Sequence, residues 1–239
     1  MGVKMAFGRI IVCVMLLLFL CSAIVFQAGA ELPSAGDIII FGRYEQDNNM
    51  QNGPEEIEWI VLEVQEGKAF LVSRFGLDMI QYHTKNAEIT WEECSIRQWL
   101  NNDFLNAAFT PEEKAKILLS EVDNSSSQSY WNTDGGNDTM DYIFLLSYAE
   151  ANQYFGVTYG GENNVKARVR PTAYALARGS GSHGIYRTED NERAGWWFLR
   201  SRGYYLHSSS NVNCTGALDR VSFDRIGQAV RPAFWLNLN

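Results

Sequence analysis

An α+β fold is predicted: a single domain with small antiparallel sheets, a few short helices and long irregular loops. Three observations predict it. A β-rich hairpin pattern over residues 57–75 opens the globular part of the chain. Helical patterns then follow in a group rather than alternating with strands, and separate runs of strands and helices give α+β rather than a parallel α/β sheet. Two aromatic-rich runs, 194–203 and 230–239, close the chain. Short, uninterrupted apolar runs of this kind read as strands covered on both faces.

The elements follow in order. Residues 36–44 read as a strand punctuated by Gly36 and Gly42, and 45–56, with Gly53 and Pro54, as a polar loop. Strands 57–64 and 69–75 are joined by a turn at 66–68. Thr90 to Glu93 fits a capping box, opening a helix in which Ile96, Leu100, Phe104 and Ala108 recur every fourth residue. Thr110 and Pro111 start a second short helix, with proline at its first position. Residues 117–122 and 142–146 read as strands on either side of an oxygen-rich loop, 123–141. Ser147 and Glu150 form a further capping box, and that helix ends near Gly156. Residues 171–178 read as a fourth helix, closed by Gly179 and followed by a flexible Gly/Ser stretch, 179–184. Trp196, Trp197 and Phe198 in one closing run and Trp235 in the other supply core area, since a buried aromatic removes about 150–250 Å² from water. Arg200 and Arg231, at the edges of these runs, are expected to pair with a carboxylate or with backbone carbonyls. Residues 208–216, between the runs, read as a polar loop.

The first thirty residues stand apart. Lys4 and Arg9 precede an apolar run, 10–26, and Ala28-Gly29-Ala30 matches a cleavage site, so residues 1–30 are expected to be a signal peptide and 31–239 a single extracellular domain. The alternative is an uncleaved anchor formed by residues 10–26. The whole chain has 239 residues and a formal charge of −8. This acidity argues against nucleic acid as a partner, and against membrane contact other than through the leader. Cys94 and Cys214 remain after the leader, and a spacing this long fits either a disulfide or two small buried side chains.

One ordered set of motifs carries a resemblance. It runs through Trp59-Ile60-Val61-Leu62, Ser95-Ile96-Arg97-Gln98-Trp99-Leu100-Asn101, Phe144-Leu145-Leu146-Ser147, Pro171-Thr172-Ala173-Tyr174-Ala175, Trp197-Phe198-Leu199-Arg200-Ser201 and Val230-Arg231-Pro232-Ala233-Phe234-Trp235-Leu236. It resembles a large, uncharacterised bacterial family carried as a domain of unknown function in extracellular and cell-wall proteins. The closing strands are similar, more remotely, to the fold shared by C-type-lectin-like domains and sulfatase-modifying enzymes. That likeness implies a small antiparallel sheet under a long irregular region, and implies no activity.

No catalytic set stands out. His83, His183 and His207 are isolated, without metal-ligand spacing, and the closely spaced cysteine pair that holds copper in the sulfatase-modifying enzymes has no counterpart. Recognition residues usually gather in loops on a rigid scaffold, which singles out two segments. The first offers Tyr130, Trp131, Asn132, Asp134, Asn137 and Asp138; the second offers Tyr204, His207, Asn211 and Asn213. Rings supply contact area, and amides and carboxylates orient hydroxyls or, in 123–141, provide oxygens for calcium; no other cofactor is expected. The expected role is non-enzymatic binding of a glycan or protein ligand, by a secreted or cell-surface module. The alternatives are an enzyme, either a relative of the sulfatase-modifying group or a hydrolase, and a structural surface protein without a small ligand. N-terminal sequencing of the exported protein is expected to begin at Glu31; a full-length chain recovered from membranes rejects cleavage.

Overall fold

The computed structural model describes residues 32–161 and 163–239, and Leu32–Asn239 form one compact unit. The expected leader, its cleavage point and the alternative anchor lie outside the described residues. No described helix is long and apolar enough to cross a membrane.

In chain order the strands are β1 (Ile38–Tyr44), β2 (Glu55–Gln65), β3 (Lys68–Ser73), β4 (Ser120–Val122), β5 (Thr139–Asp141), β6 (Ser182–Arg187), β7 (Arg193–Arg202), β8 (Ser208–Val212), β9 (Leu218–Ser222), β10 (Gln228–Ala229) and β11 (Ala233–Asn237). The α-helices are α1 (Ser95–Trp99), α2 (Leu105–Ala108), α3 (Pro111–Lys114), α4 (Tyr148–Phe155) and α5 (Ala173–Ala177). One sheet has the order β1-β2-β3-β11; a second has the order β10-β7-β8-β9, with β6 also on β7; β4 and β5 make a small ribbon. Strand β10 runs parallel to β7, and the other strand pairs are antiparallel. The arrangement is α+β, as expected. The two closing runs enter different sheets: β7 pairs with β8, and β11 pairs with β3, setting Phe234 opposite Leu71.

The predicted hairpin is β2–β3. Glu66 and Gly67 have φ of 49° and 73°, the positive pair that a tight two-residue hairpin turn requires. The inner face of β2 buries Ile57, Trp59 and Val61, and the Trp59 ring meets Phe234 edge-on at 4.7 Å. The expected helical periodicity also holds, because Ile96, Leu100, Phe104 and Ala108 are all buried. A single π-helical turn, Leu100–Phe104, joins α1 to α2. The capping boxes at Thr110 and Ser147 form, and Gly156, with φ 68°, closes α4.

Five expectations need correction. The helix begins at Ser95 without a capping side chain, not at Thr90. Trp91 is buried instead, its Nε1 donating to Asp141 Oδ2 at 2.9 Å, and this holds the segment out of helical register. Strand 117–122 shortens to β4. Residues 142–146 are buried but form no strand, because different partners take up their backbone groups one at a time: Asn101 bonds to Ile143 O, Arg200 to Leu145 O, and Phe144 pairs with Ala233. The stretch 179–184 is not a free linker, since Ser182, His183 and Gly184 belong to β6. The polar loop 208–216 is the largest change: Ser208 to Val212 form β8, between β7 and β9, and are buried. Ser208 Oγ donates to Tyr205 O at 2.7 Å and Ser210 Oγ to Arg202 O at 3.1 Å, so these hydroxyls are satisfied by backbone carbonyls.

Of the closing-run residues, Trp197 is fully buried, Trp196 is half-buried, and Trp235 stacks on Phe70 at 4.9 Å. Arg200 pairs with Glu150 at 2.5 Å and donates to Leu145 O at 2.9 Å, as expected at a strand edge. Arg231 donates from Nε to Ser73 O at 2.8 Å. Cys94 and Cys214 are free thiols, so the disulfide alternative does not form.

Trp197 donates from Nε1 to Ala167 O at 2.9 Å from a site that is 0% exposed. Trp197→Ala is expected to destabilise the fold by about 3–5 kcal/mol, measured by urea unfolding; a change within about 0.5 kcal/mol contradicts this packing. Burial pushes the Cys94 thiol up to about 12 and raises that of Cys214 as well. At pH 8 both thiols are therefore protonated. A disulfide-based thiol reagent is expected to leave them unmodified in the native protein and to label both after unfolding without reductant. Rapid native labelling contradicts their burial, and a missing pair of thiols after unfolding contradicts their being free.

Candidate functional site

Four aromatic side chains from three segments meet at the surface. Tyr130 lies on Tyr159, nearly parallel, with centroids 5.4 Å apart, and meets Trp131 and Tyr148 edge-on, also at 5.4 Å. Trp131 in turn meets the edge of Tyr159 at 5.8 Å. Tyr148 arrives at the first turn of α4, just after its Ser147 cap, and Tyr159 is carried to β9 by a bridge to Leu218. Arg220 extends the group from β9, its Cζ lying 5.9 Å from the Trp131 ring and 5.5 Å from that of Tyr205. A hydrogen bond to Tyr159, outweighing partial burial, raises the Arg220 pKa, and so do the nearby hydroxyls of Tyr159 and Tyr205. Tyr205 stacks on His207 at 5.6 Å and meets Tyr204 edge-on at 5.1 Å. Tyr130, Tyr159, Tyr204 and Tyr205 all remain exposed. The result is a set of rings around one guanidinium, open to solvent.

The loop owes its position to polar contacts at the end of β7. Ser201 Oγ donates to Gln128 O at 2.5 Å, Ser129 Oγ to Arg202 O at 3.0 Å, and Arg200 Nη2 to Asp123 O at 3.1 Å. These bonds fix the residues just before Tyr130.

The two loops singled out from the sequence therefore meet, but not through all the expected residues. Tyr130, Trp131, Tyr204 and His207 belong to the ring group. Asn132 sits at a turn with φ 54°. Asp134 accepts from Gly136 N at 3.0 Å, Asn137 donates to Glu92 at 3.0 Å, and Asp138 accepts from Asn124 N at 2.8 Å, so their side chains brace the loop itself. Asn211 is 2% exposed and lies within β8 rather than in a loop, apart from the ring group. Asn213 accepts from Thr215 N at 2.9 Å and from Ala217 N at 3.2 Å, a turn-forming role. Among the described residues, the group of three carboxylates close enough to share an ion is Glu45, Asp47 and Glu55, outside 123–141. There Glu55 already accepts from the backbone of Gln46 and Asp47.

Sequence reasoning missed Tyr148, Tyr159 and Arg220, whose convergence is purely tertiary. It also missed a cleft of about 570 Å³ that shares no lining residue with the ring group. Arg74, Lys166, Arg168, Arg170 and Arg231 line it; the alternation of Lys166, Arg168 and Arg170, and the Val-Arg-Pro shared by 169–171 and 230–232, are the sequence signals for it.

No curated protein and no solved structure matches the chain. Residues 66–238 match a family described as a domain of unknown function, DUF6273. That span takes in the chain from the β2–β3 turn to the last strand, with β3 and β11 of the first sheet, the whole second sheet and the ring group, and the chain belongs to this family.

Proposed function

We propose that residues 32–239 are a non-enzymatic binding module, secreted or held at the cell surface, that takes a glycan on the ring group. The observation that carries this reading is the contact group of exposed Tyr130, Tyr159 and Tyr205 with half-buried Trp131, in which Arg220 lies by the rings of Trp131 and Tyr205. A contiguous exposed apolar patch is uncommon on a soluble protein and marks an interaction site. Rings held edge-to-face present flat apolar area at little entropic cost. A sugar offers a matching C–H face, and its hydroxyls suit the guanidinium of Arg220. A C-type-lectin-like relation belongs to the same proposal. What supports it is the antiparallel set β7-β8-β9 with the irregular segment 123–141 bonded to its edge.

The test is a glycan screen, with and without chelator, followed by affinity measurements on Tyr130→Ala and Tyr205→Ala. Both residues are exposed, 46% and 49%, so neither change is expected to unfold the protein. Loss of a ring at a binding hot spot typically costs about 2 kcal/mol, so each variant is expected to bind at least roughly thirtyfold more weakly. A glycan that binds both variants as well as the parent moves the site elsewhere. Binding of proteins but not glycans supports the protein-ligand alternative, and turnover of a captured sugar supports an enzyme.

A further inference from the structure

The cleft holds an arginine whose surroundings lack a negative charge. Arg231 is 2% exposed and forms no ion pair among the described residues. Its Nε reaches Ser73 O, but its buried Nη1 has no hydrogen-bond partner among the described residues. The rings of Phe155 and Trp197 each lie 4.8 Å from its Cζ. Burial lowers its pKa to about 9, so the guanidinium stays charged at neutral pH. Burying a charge without a counter-charge is costly, and ring faces compensate only part of that cost.

Besides exposed Lys166, the other cations of the cleft divide into two kinds. Arg74 is neutralised by Glu58 at 2.5 Å and by Asp190 at 3.5 Å. Arg168 is committed to Arg187 O at 2.7 Å, Asn163 at 2.6 Å and Thr215 O at 3.3 Å. Arg170 resembles Arg231: its Cζ stacks 4.1 Å above Phe75, and its buried Nε lacks a partner among the described residues. Ile38, Ile60, Phe75 and Phe155 supply apolar wall. Glu189 and Asp190 also line the cleft, and Asp190 is held low by its hydrogen bond from Thr188 and, more weakly, by Arg74 and Arg170.

We propose that this cleft is a second binding site, for an organic oxyanion: one carboxylate or phosphate group, taken by Arg170 and Arg231, on a flat apolar body that lies against Phe75 and Phe155. The planar guanidinium fork suits either oxyanion. The site is independent of glycan binding by the ring group.

Four probes test it by NMR titration of the whole protein: benzoate, phenyl phosphate, inorganic phosphate and neutral benzamide. Saturable binding of benzoate or phenyl phosphate is expected, with benzamide at least about tenfold weaker, because a hydrogen bond to a charged group is worth more than a neutral one. Whichever of the two anions binds more tightly names the oxyanion. Arg170→Gln and Arg231→Met are each expected to weaken that anion about tenfold or more. If Arg231→Met fails to fold, the half-buried Arg170→Gln decides. No saturable binding of either organic anion overturns the proposal. So does benzamide binding equal to benzoate, or undiminished binding to Arg170→Gln. Inorganic phosphate binding as tightly as phenyl phosphate overturns the apolar part of the proposal.

Discussion

The guanidinium of Arg200 and the carboxylate of Glu150 hold three segments together. Arg200 lies in β7, Glu150 in the first turn of α4, and Asp123, whose carbonyl accepts from the same guanidinium, opens the long loop. Glu150 also accepts from Ser147 N at 2.8 Å, so one carboxylate completes the helix cap and receives the arginine. The Arg200 side chain is 2% exposed and that of Glu150 25%. Such a pair adds little net stability, because desolvation offsets much of the attraction, whereas removing one partner strands the other charge. Its effect is positional. With β7, α4 and the start of the loop at one point, Tyr130 and Tyr148 are brought within ring contact.

Arg200 and Arg231 look alike in the sequence, each beside an aromatic run near the end of the chain. The fold treats them differently. Arg200 meets a carboxylate because a helix cap presents one. Arg231 meets the carbonyl of Ser73 and two rings. Both side chains are nearly sealed, so the difference lies in charge compensation rather than burial. The compensated arginine organises the fold, and the uncompensated one lines a cleft.

What could be read from the sequence was local. The turn at Glu66 and Gly67, the caps at Thr110 and Ser147 and the four-residue repeat from Ile96 to Ala108 depend on neighbours a few positions apart. What could not be read depends on burial that violates the usual pattern. Strand β8 is polar yet internal: carbonyls of Tyr205 and Arg202 accept the hydroxyls of Ser208 and Ser210, and the ladders to β7 and β9 hold its backbone. Residues 142–146 are apolar yet not a strand, because scattered partners replace a ladder. The site divides in the same way. Tyr130 and Trp131 stand out as rings in a polar loop, whereas Tyr159 and Arg220 join them only through a bridge between distant segments.

Charge separates the two surfaces further. The chain carries a formal charge of −8, yet the cleft lining has five cations against Glu189 and Asp190. At physiological salt, fields from exposed charges fade over about 8 Å. An approaching anion therefore gains nothing at long range from an acidic protein, and any affinity must arise inside the cleft, from short contacts. The ring group faces no such constraint, since an uncharged ligand is insensitive to net charge. The oxyanion binding proposed for the cleft therefore rests on short contacts with Arg170, Arg231 and the rings beside them, and not on the net charge of the chain.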